Sequence, residues 1–158
     1  MATLSSALFS VIAQPRDVIA GFVAARQNQQ FPWGRNSDFT TLGLVRDDHL
    51  IAGVVYNNFE ARNVCMHVSA ILGKRWLTRE FLFAAFDYPF NQLGKRRVTA
   101  LVARSNHTTR RFVRGLGFAL EGKLGDYYDQ DDMLVFGLKR ADCRWLQLAP
   151  RKRYLEAA

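Results

Sequence analysis

The stretch LGKRRVTALVARSNHTTRRFVRGLGFALEG, residues 93–122, indicates how this chain folds. Its apolar run at residues 98–103 predicts a strand. Residues 109–116 predict a helix, and Gly117 is placed to end it. Asn106 lies between the two and, judged alone, is best interpreted as the cap of that helix. The stretch therefore predicts a strand that leads directly into a helix.

The segments on either side extend this pattern. Pro15 begins a helix in which Val18, Ile19, Phe22 and Val23 recur at helical spacing. A second helix, apolar on both faces and so largely buried, is predicted from Leu77 to Tyr88. Short apolar runs predict the other strands, which lie at residues 7–13, 41–46, 50–56, 64–72, 118–121 and 133–138. The predicted order is a strand, a helix and a β meander, followed by β–α–β–α–β–β. This order predicts a mixed α/β fold, with a mostly antiparallel sheet flanked by helices.

The composition fits one packed domain over residues 1–158. Of the 158 residues, 49% are hydrophobic, which is enough for a core. No apolar run is long enough for a membrane span, and the first residues lack the pattern of a signal peptide, so we expect a cytoplasmic protein. Cys65 and Cys143 are expected to be reduced thiols and not metal ligands.

The chain is strongly basic, with a formal charge of +8 and a pI near 10.0. Such a field attracts polyanions, but it equally suits a small phosphorylated cofactor or simple solubility. A basic tail is expected from about residue 145, with the cluster at residues 151–153. The aromatic loop at residues 31–36, which contains Trp33, either walls a binding cleft or covers the core.

Residues 73–79 form the first candidate binding segment. Lys74, Arg75 and Arg79 lie where the strand at residues 64–72 passes into the buried helix. Free N–H groups at a helix N-terminus, together with full positive charges, suit a phosphate group. A solvated basic turn is the alternative interpretation.

Residues 93–122 resemble the second half of a GNAT acetyltransferase domain, and most closely the RimJ/RimL-like branch. That branch has Leu-Gly and Arg-Val before the strand, followed by N-x-x-S-x-R and L-G-F-x-x-E-G. The matching residues here are Leu93-Gly94, Arg97-Val98, Asn106, Thr109, Arg111, Leu116-Gly117-Phe118 and Glu121-Gly122. The chain is also similar to short phage-encoded members of the superfamily, partly through its Cys143-Arg144-Trp145 ending.

The resemblance implies that acetyl-CoA (coenzyme A) is the cofactor. The backbone of Val68, Ser69 and Ala70 would bond the pantetheine arm. Asn106 and Arg111 would line the opposite wall, and Thr109 would donate a hydrogen bond to the departing sulfur. The pyrophosphate would be held by the whole turn, which consists of Gly73, Lys74, Arg75, Trp76, Leu77, Thr78 and Arg79.

Three positions depart from the family pattern. Lys74 and Trp76 stand where the pyrophosphate loop usually has glycines, and Gly73 takes the place of a Gln or Arg. Val113 stands where many members carry a tyrosine general acid. The resemblance therefore implies cofactor binding more directly than it implies turnover.

The general base is not defined by the sequence. Candidates are His67, Glu60, Asp126 and Tyr128, and a water chain is the alternative. Cys65 is not expected to be a nucleophile, since it has no visible His and carboxylate partners and lies in an apolar strand.

The leading hypothesis is an acetyl-CoA-dependent N-acetyltransferase that acts by direct transfer on a primary amine. The acceptor would be a protein N-terminus, a lysine, a small amine or an aminoacyl-tRNA, and the protein a monomer or homodimer. The second hypothesis is a catalytically weakened GNAT-fold module that binds coenzyme A or a macromolecule. The third is a nucleic-acid-binding protein, for which salt-dependent binding would be diagnostic.

Overall fold

The computed structural model describes residues 9–27 and 38–148. The predicted aromatic loop with Trp33, the basic cluster at residues 151–153 and the first two residues of the predicted first strand lie outside these ranges. The described part forms a sheet with helices on both faces. Its strands and α-helices are β1 Phe9–Ile12, α1 Arg16–Arg26, β2 Phe39–Arg46, β3 His49–Asn57, β4 Asn63–Ala70, α2 Arg79–Asp87, β5 Arg97–Ala103, α3 His107–Leu116, β6 Ala119–Tyr128 and β7 Asp131–Lys139.

The sheet has seven strands in the order β1-β2-β3-β4-β5-β7-β6. Neighbouring strands are antiparallel, with the exception of β4 and β5, which run parallel. The connection between these two is the crossover through α2, as a parallel pair requires. The predicted mixed α/β fold and its mostly antiparallel sheet are therefore confirmed.

The helices divide between the two faces of the sheet. Val55 of β3 packs with the buried residues of α1, whereas its neighbours Val54 and Tyr56 pack with those of α2 and α3. Because side chains alternate along a strand, α1 lies on one face and α2 and α3 on the other. A Cβ on Gly53 would lie 2.9 Å from Val23 Cγ2, so the bare backbone of this glycine admits α1.

Several predicted boundaries differ from those observed, for local reasons. α2 begins at Arg79 and not at Leu77, because Thr78 caps it by accepting from the N–H of Phe81 at 3.1 Å. α3 begins two residues before the predicted start, because Asn106 is its cap. β6 extends beyond the predicted residue 121 to Tyr128, because β7 pairs with it up to the turn. The side chains of β6 are mostly exposed, so they give no apolar pattern from which this length could be predicted.

Three short turns complete the described part. A π-helical turn, Tyr88–Gln92, continues directly from α2, and 3-10 turns lie at Arg140–Asp142 and Arg144–Gln147. The last of them packs on the α2 face, where the indole Nε1 of Trp145 donates to the carbonyl of Leu116 at 2.8 Å. The segment after β7 thus covers the end of α3.

Arg97 and Glu121, two residues of the resemblance, form an ion pair across β7. Arg97 Nη2 lies 2.6 Å from Glu121 Oε2, and its Nε donates to Asn63 Oδ1 at 3.1 Å. The pair crosses over Gly137, where a Cβ would lie 2.5 Å from both side chains. Arg97 therefore links β4, β5 and β6 and is engaged in the structure of the sheet.

We expect Gly137→Ala to lower the free energy of unfolding by about 1 kcal/mol, because the added methyl displaces a half-buried charge-assisted pair. Urea denaturation measures the change. Gly115→Ala is the control: it lies in α3 with nothing within 4 Å of the added Cβ, so the gain in helix propensity should leave stability unchanged or slightly raised. Equal losses in both variants would contradict the role of the ion pair.

Candidate functional site

β4 and β5 pair at three positions only, Asn63↔Arg97, Val64↔Val98 and Cys65↔Thr99, and then part. Beyond Cys65, the pairing of β4 with β3 continues to Ala70. A gap therefore opens between two adjacent strands toward their carboxyl ends, and this is where ligands commonly bind in α/β sheets.

The peptide groups that face the gap follow from the hydrogen-bond alternation. The N–H of Ile71 donates to the carbonyl of Ile51 at 2.9 Å, so the odd-numbered residues of β4, including Ser69, bond β3. The peptide groups of Val68 and Ala70 face the gap instead. One of them is engaged, because the carbonyl of Val68 accepts from Gln27 Nε2 at 3.0 Å. The predicted pantetheine strand thus offers the N–H of Val68 and both groups of Ala70.

The turn between β4 and α2 forms one wall of the gap. Gly73 has a φ of 78°, a left-handed conformation that favours glycine. Thr78 satisfies the N–H of Phe81, while the N–H groups of Arg79 and Glu80 point out of the first turn of α2 without intrahelical acceptors. The side chains of Lys74, Arg75, Leu77 and Arg79 are exposed around this helix end.

Trp76 and Phe112 close the gap on the α2 and α3 side. Trp76 comes from the turn after β4 and Phe112 from the helix after β5, and their ring centroids are 5.3 Å apart. Trp76 also packs edge-on against Phe81, with centroids 6.3 Å apart. The apolar space beneath them is lined by Met66 and Val68. The indole thus takes up space where the family pattern has a glycine, and Phe112 is a site residue that the sequence analysis missed.

Asn106, Thr109 and Arg111 lie together at the start of α3. Asn106 Oδ1 accepts from the N–H of Thr109 at 3.1 Å, so Asn106 is the helix cap that its position alone predicts. Its amide Nδ2 has no acceptor among the residues described. Thr109 is half-buried and Arg111 is exposed.

Three basic residues that are close to Asn106 in sequence lie away from the gap in the structure. Lys95, Arg96 and Arg97 lie at the amino end of β5, a seven-residue strand of about 20 Å, whereas the gap opens at its carboxyl end. Lys95 Nζ donates to the carbonyl of Glu60, and Arg97 pairs with Glu121. These residues are close to Asn106 in sequence, but the length of β5 separates them from it in the structure.

The candidate bases occupy different places. Glu60 precedes β4 and so lies far from the open end of the gap, while Asp126 and Tyr128 lie in β6 near its turn. Burial raises the pKa of Tyr128, and Tyr127 and Asp131 add to the shift. His67 lies in β4 beside the gap, and its Nε2 is 2.9 Å from Asn57 Oδ1. Burial lowers the pKa of His67 to about 4, so the ring is neutral at pH 7.

The carboxyl end of β5 also borders an open cleft of about 860 Å³. Its walls are the start of α3 and the turn between β6 and β7. The lining residues are Arg104, Ser105, His107, Arg110, Tyr128, Asp129, Gln130 and Asp131. Sequence reasoning named Tyr128 as a candidate base but gave no role to Ser105 or His107, although both flank Asn106 and could have been recognised by that adjacency.

Neither cysteine has the setting of a nucleophile. Burial raises the thiol pKa of Cys65 and likewise that of Cys143. In the part of the chain that the structure describes, no three His, Cys, Asp or Glu side chains converge as metal ligands would. The helices of the same part are too short or too polar to span a lipid bilayer.

Comparison with solved structures finds a similar architecture in N-acetyltransferases. The dodecameric spermidine N-acetyltransferase of Vibrio cholerae superposes with a TM-score of 0.68 at 14% identity, over 84% of this chain and 94% of that one. The same enzyme in complex with CoA and spermine gives 0.67 at 13% identity, over 85% and 96%. A probable acetyltransferase gives 0.52 at 23% identity, over 66% and 63%.

No protein-family model and no curated protein sequence matches the chain. The likeness is thus one of structure, and it shows that the chain has the GNAT acetyltransferase fold. Assignment to the RimJ/RimL-like branch or to its phage-encoded members stays a prediction.

The pKa of His67 predicts a pH-dependent stability. The unfolded ring titrates near 6.5 and the folded ring near 4, so the unfolded state binds the extra proton between these values. Stability should be intact above pH 6.5 and fall by up to about 3 kcal/mol as the pH drops to 4. Urea denaturation of the wild type and of His67→Gln at several pH values measures the free energy of unfolding, and the difference between the two proteins isolates the contribution of His67. If the free energy of unfolding of both proteins fell equally with pH, the lowered pKa of His67 would be contradicted.

Proposed function

We propose that this chain is an acetyl-CoA-dependent N-acetyltransferase that moves an acetyl group to a primary amine by direct transfer. The observation that carries the proposal is the gap between β4 and β5. It opens where the parallel pairing of these strands ends, after Cys65↔Thr99. The fold supports it, since its neighbours are N-acetyltransferases and one of them holds CoA. A cytoplasmic single domain fits this activity.

The residues around the gap fit a coenzyme A molecule. The N–H of Val68 and the peptide groups of Ala70 suit the amides of a pantetheine arm, which need donors and acceptors along an extended path. The start of α2, with Lys74, Arg75 and Arg79 around it, suits a pyrophosphate. The charge of these side chains would compensate for the missing loop glycines. The ring contact of Trp76 must open to admit the cofactor.

When bound, acetyl-CoA would supply a thioester-activated acetyl group. This chain would orient it, exclude water and hold protons at defined atoms. The hydroxyl of Thr109, half-buried in the first turn of α3, would donate a hydrogen bond to the departing sulfur. Val113 provides no tyrosine-type acid, so Thr109 is the residue of α3 to which we assign this role.

His67 is the base candidate that lies beside the gap. It is neutral at pH 7, which a proton acceptor requires, although a pKa of about 4 makes it a weak one. A water chain would serve where the amine reaches the site already neutral. The acceptor is a primary amine, and the solved neighbour with spermine makes polyamines suitable first substrates to test.

Thr109→Ala tests the catalytic assignment. Loss of the hydroxyl should reduce kcat roughly tenfold to a hundredfold with little change in the CoA dissociation constant, because the interaction develops during transfer. Release of free CoA thiol in the presence of spermidine measures the rate. Thr108→Ala, exposed and one residue away, is the matched control. Equal rates in the two variants would contradict the role of Thr109.

Trp76→Ala tests the ring closure. Removing the contact with Phe112 should tighten CoA binding roughly threefold to tenfold and speed its association, because an aromatic pair contributes about 0.5–1.5 kcal/mol to the closed state. Isothermal titration and stopped-flow mixing measure both. Leu72→Ala, in the same turn and 94% exposed, should behave as the wild type.

These titrations also separate the competing hypotheses. CoA binding without turnover would favour the weakened binding module. No CoA binding by either the wild type or Trp76→Ala would contradict the proposed function.

A further inference from the structure

The cleft beside α3 has a charge pattern that the cofactor site does not explain. It lies at the carboxyl end of β5, where Ser105 and His107, the two neighbours of Asn106 in sequence, line it. It extends to the turn between β6 and β7. Its volume of about 860 Å³ is large enough for a small molecule. The cleft opens next to the residues that would hold the reacting end of the cofactor.

Part of the charge in this cleft is neutralised within the protein. Asp131 accepts from the hydroxyl of Ser105 at 2.6 Å and from its N–H at 3.2 Å. Arg104 lies 3.8 Å from Asp131 and 3.7 Å from Asp132. These ion pairs and hydrogen bonds tie the end of β5 to β7. Two charged side chains of the cleft, Arg110 on one wall and Asp129 on the other, take no part in these contacts.

The guanidinium of Arg110 is held in place on one side and lacks partners on the other. Its Nη1 donates to the carbonyl of Arg104 at 2.9 Å and to Nδ1 of His107 at 3.2 Å. Because arginine has no lone pair to offer, His107 Nδ1 is the acceptor in that contact. Arg110 Nε is buried without any hydrogen-bond partner, and the described residues offer Nη2 none.

An arginine held in this way is pre-organised for an anion. Because Nε is buried, Nη2 is the nitrogen left for a carboxylate oxygen, and a fixed guanidinium loses little freedom when it binds. Asp129, on the opposite wall, is exposed and has no ion pair among the residues described. The cleft thus presents one unneutralised positive and one unneutralised negative group, as a zwitterionic ligand requires.

We propose that this cleft binds the head group of an α-amino acid, with its carboxylate on Arg110 and its ammonium on Asp129. The inference rests on the proposed function and deepens it: the acceptor would be an amino acid that carries a second, reactive amine on its side chain. The head group would anchor the molecule in the cleft while the side-chain amine reaches past Asn106 toward the gap.

Lysine and cadaverine are a matched pair of probes, because they share the same chain and terminal amine and differ by the carboxylate. Binding is measured by ligand-observed NMR titration, with and without CoA. Lysine should bind the wild type at least roughly tenfold more tightly than cadaverine. Arg110→Gln should abolish this preference while cadaverine binding and CoA affinity stay unchanged. Arg110→Lys, which keeps the charge and loses the planar edge, should retain part of it.

Arg62→Gln is the control for charge alone, since Arg62 is exposed ahead of β4 and outside both sites. Asp129→Asn should weaken the binding of both probes. Equal binding of lysine and cadaverine, no saturable lysine binding, or a preference that survives Arg110→Gln would overturn the proposal. The CoA affinity of the wild type distinguishes failure of the cleft proposal from failure of the proposed function. If the wild type binds CoA but does not prefer lysine, only the cleft proposal is contradicted. If the wild type does not bind CoA, the proposed function is contradicted.

Discussion

The parting of β4 and β5 is the constraint on which the rest of the structure depends. Parallel strands need a crossover, and the crossover here places α2 over the core between them. α3 follows β5 on the same face, so the starts of two helices flank one gap. Because β3 pairs with β4 beyond the point where β5 leaves it, the peptide groups of Val68 and Ala70 stay ordered without a neighbouring strand. A binding strand of this kind is stable only because its other edge is fully paired.

On the proposed function, aromatic closure and cofactor binding would compete for the same space in this molecule. Trp76 and Phe112 bury apolar surface against each other and cover the opening on the helical face. A chain with glycines in this turn would leave the opening clear, whereas this one must separate two rings first. Basic side chains around the start of α2 would offset that cost by attracting phosphate. On the proposed function, the balance between aromatic closure and phosphate binding would therefore set the cofactor affinity.

The sequence predicted the order of the elements and, to within two residues, the starts of both helices that flank the gap, because apolar spacing and cap residues are local signals. It could not show that Arg97 bonds Glu121 across Gly137, since that contact joins three strands that are distant in sequence. Nor could it show that Lys95 lies away from the helix starts, because that distance depends on the length of the folded strand β5. Asn106 shows the limit most clearly: cap and cofactor residue are compatible roles, and the local pattern supports both.

Amide hydrogen exchange on addition of CoA tests the central claim most directly. If CoA binds in the gap, it should slow exchange at the N–H groups of Val68 and Ala70, which face the gap, and leave that of Ser69 unchanged, because the Ser69 N–H already bonds β3. CoA binding that leaves Val68 and Ala70 unprotected would contradict the account.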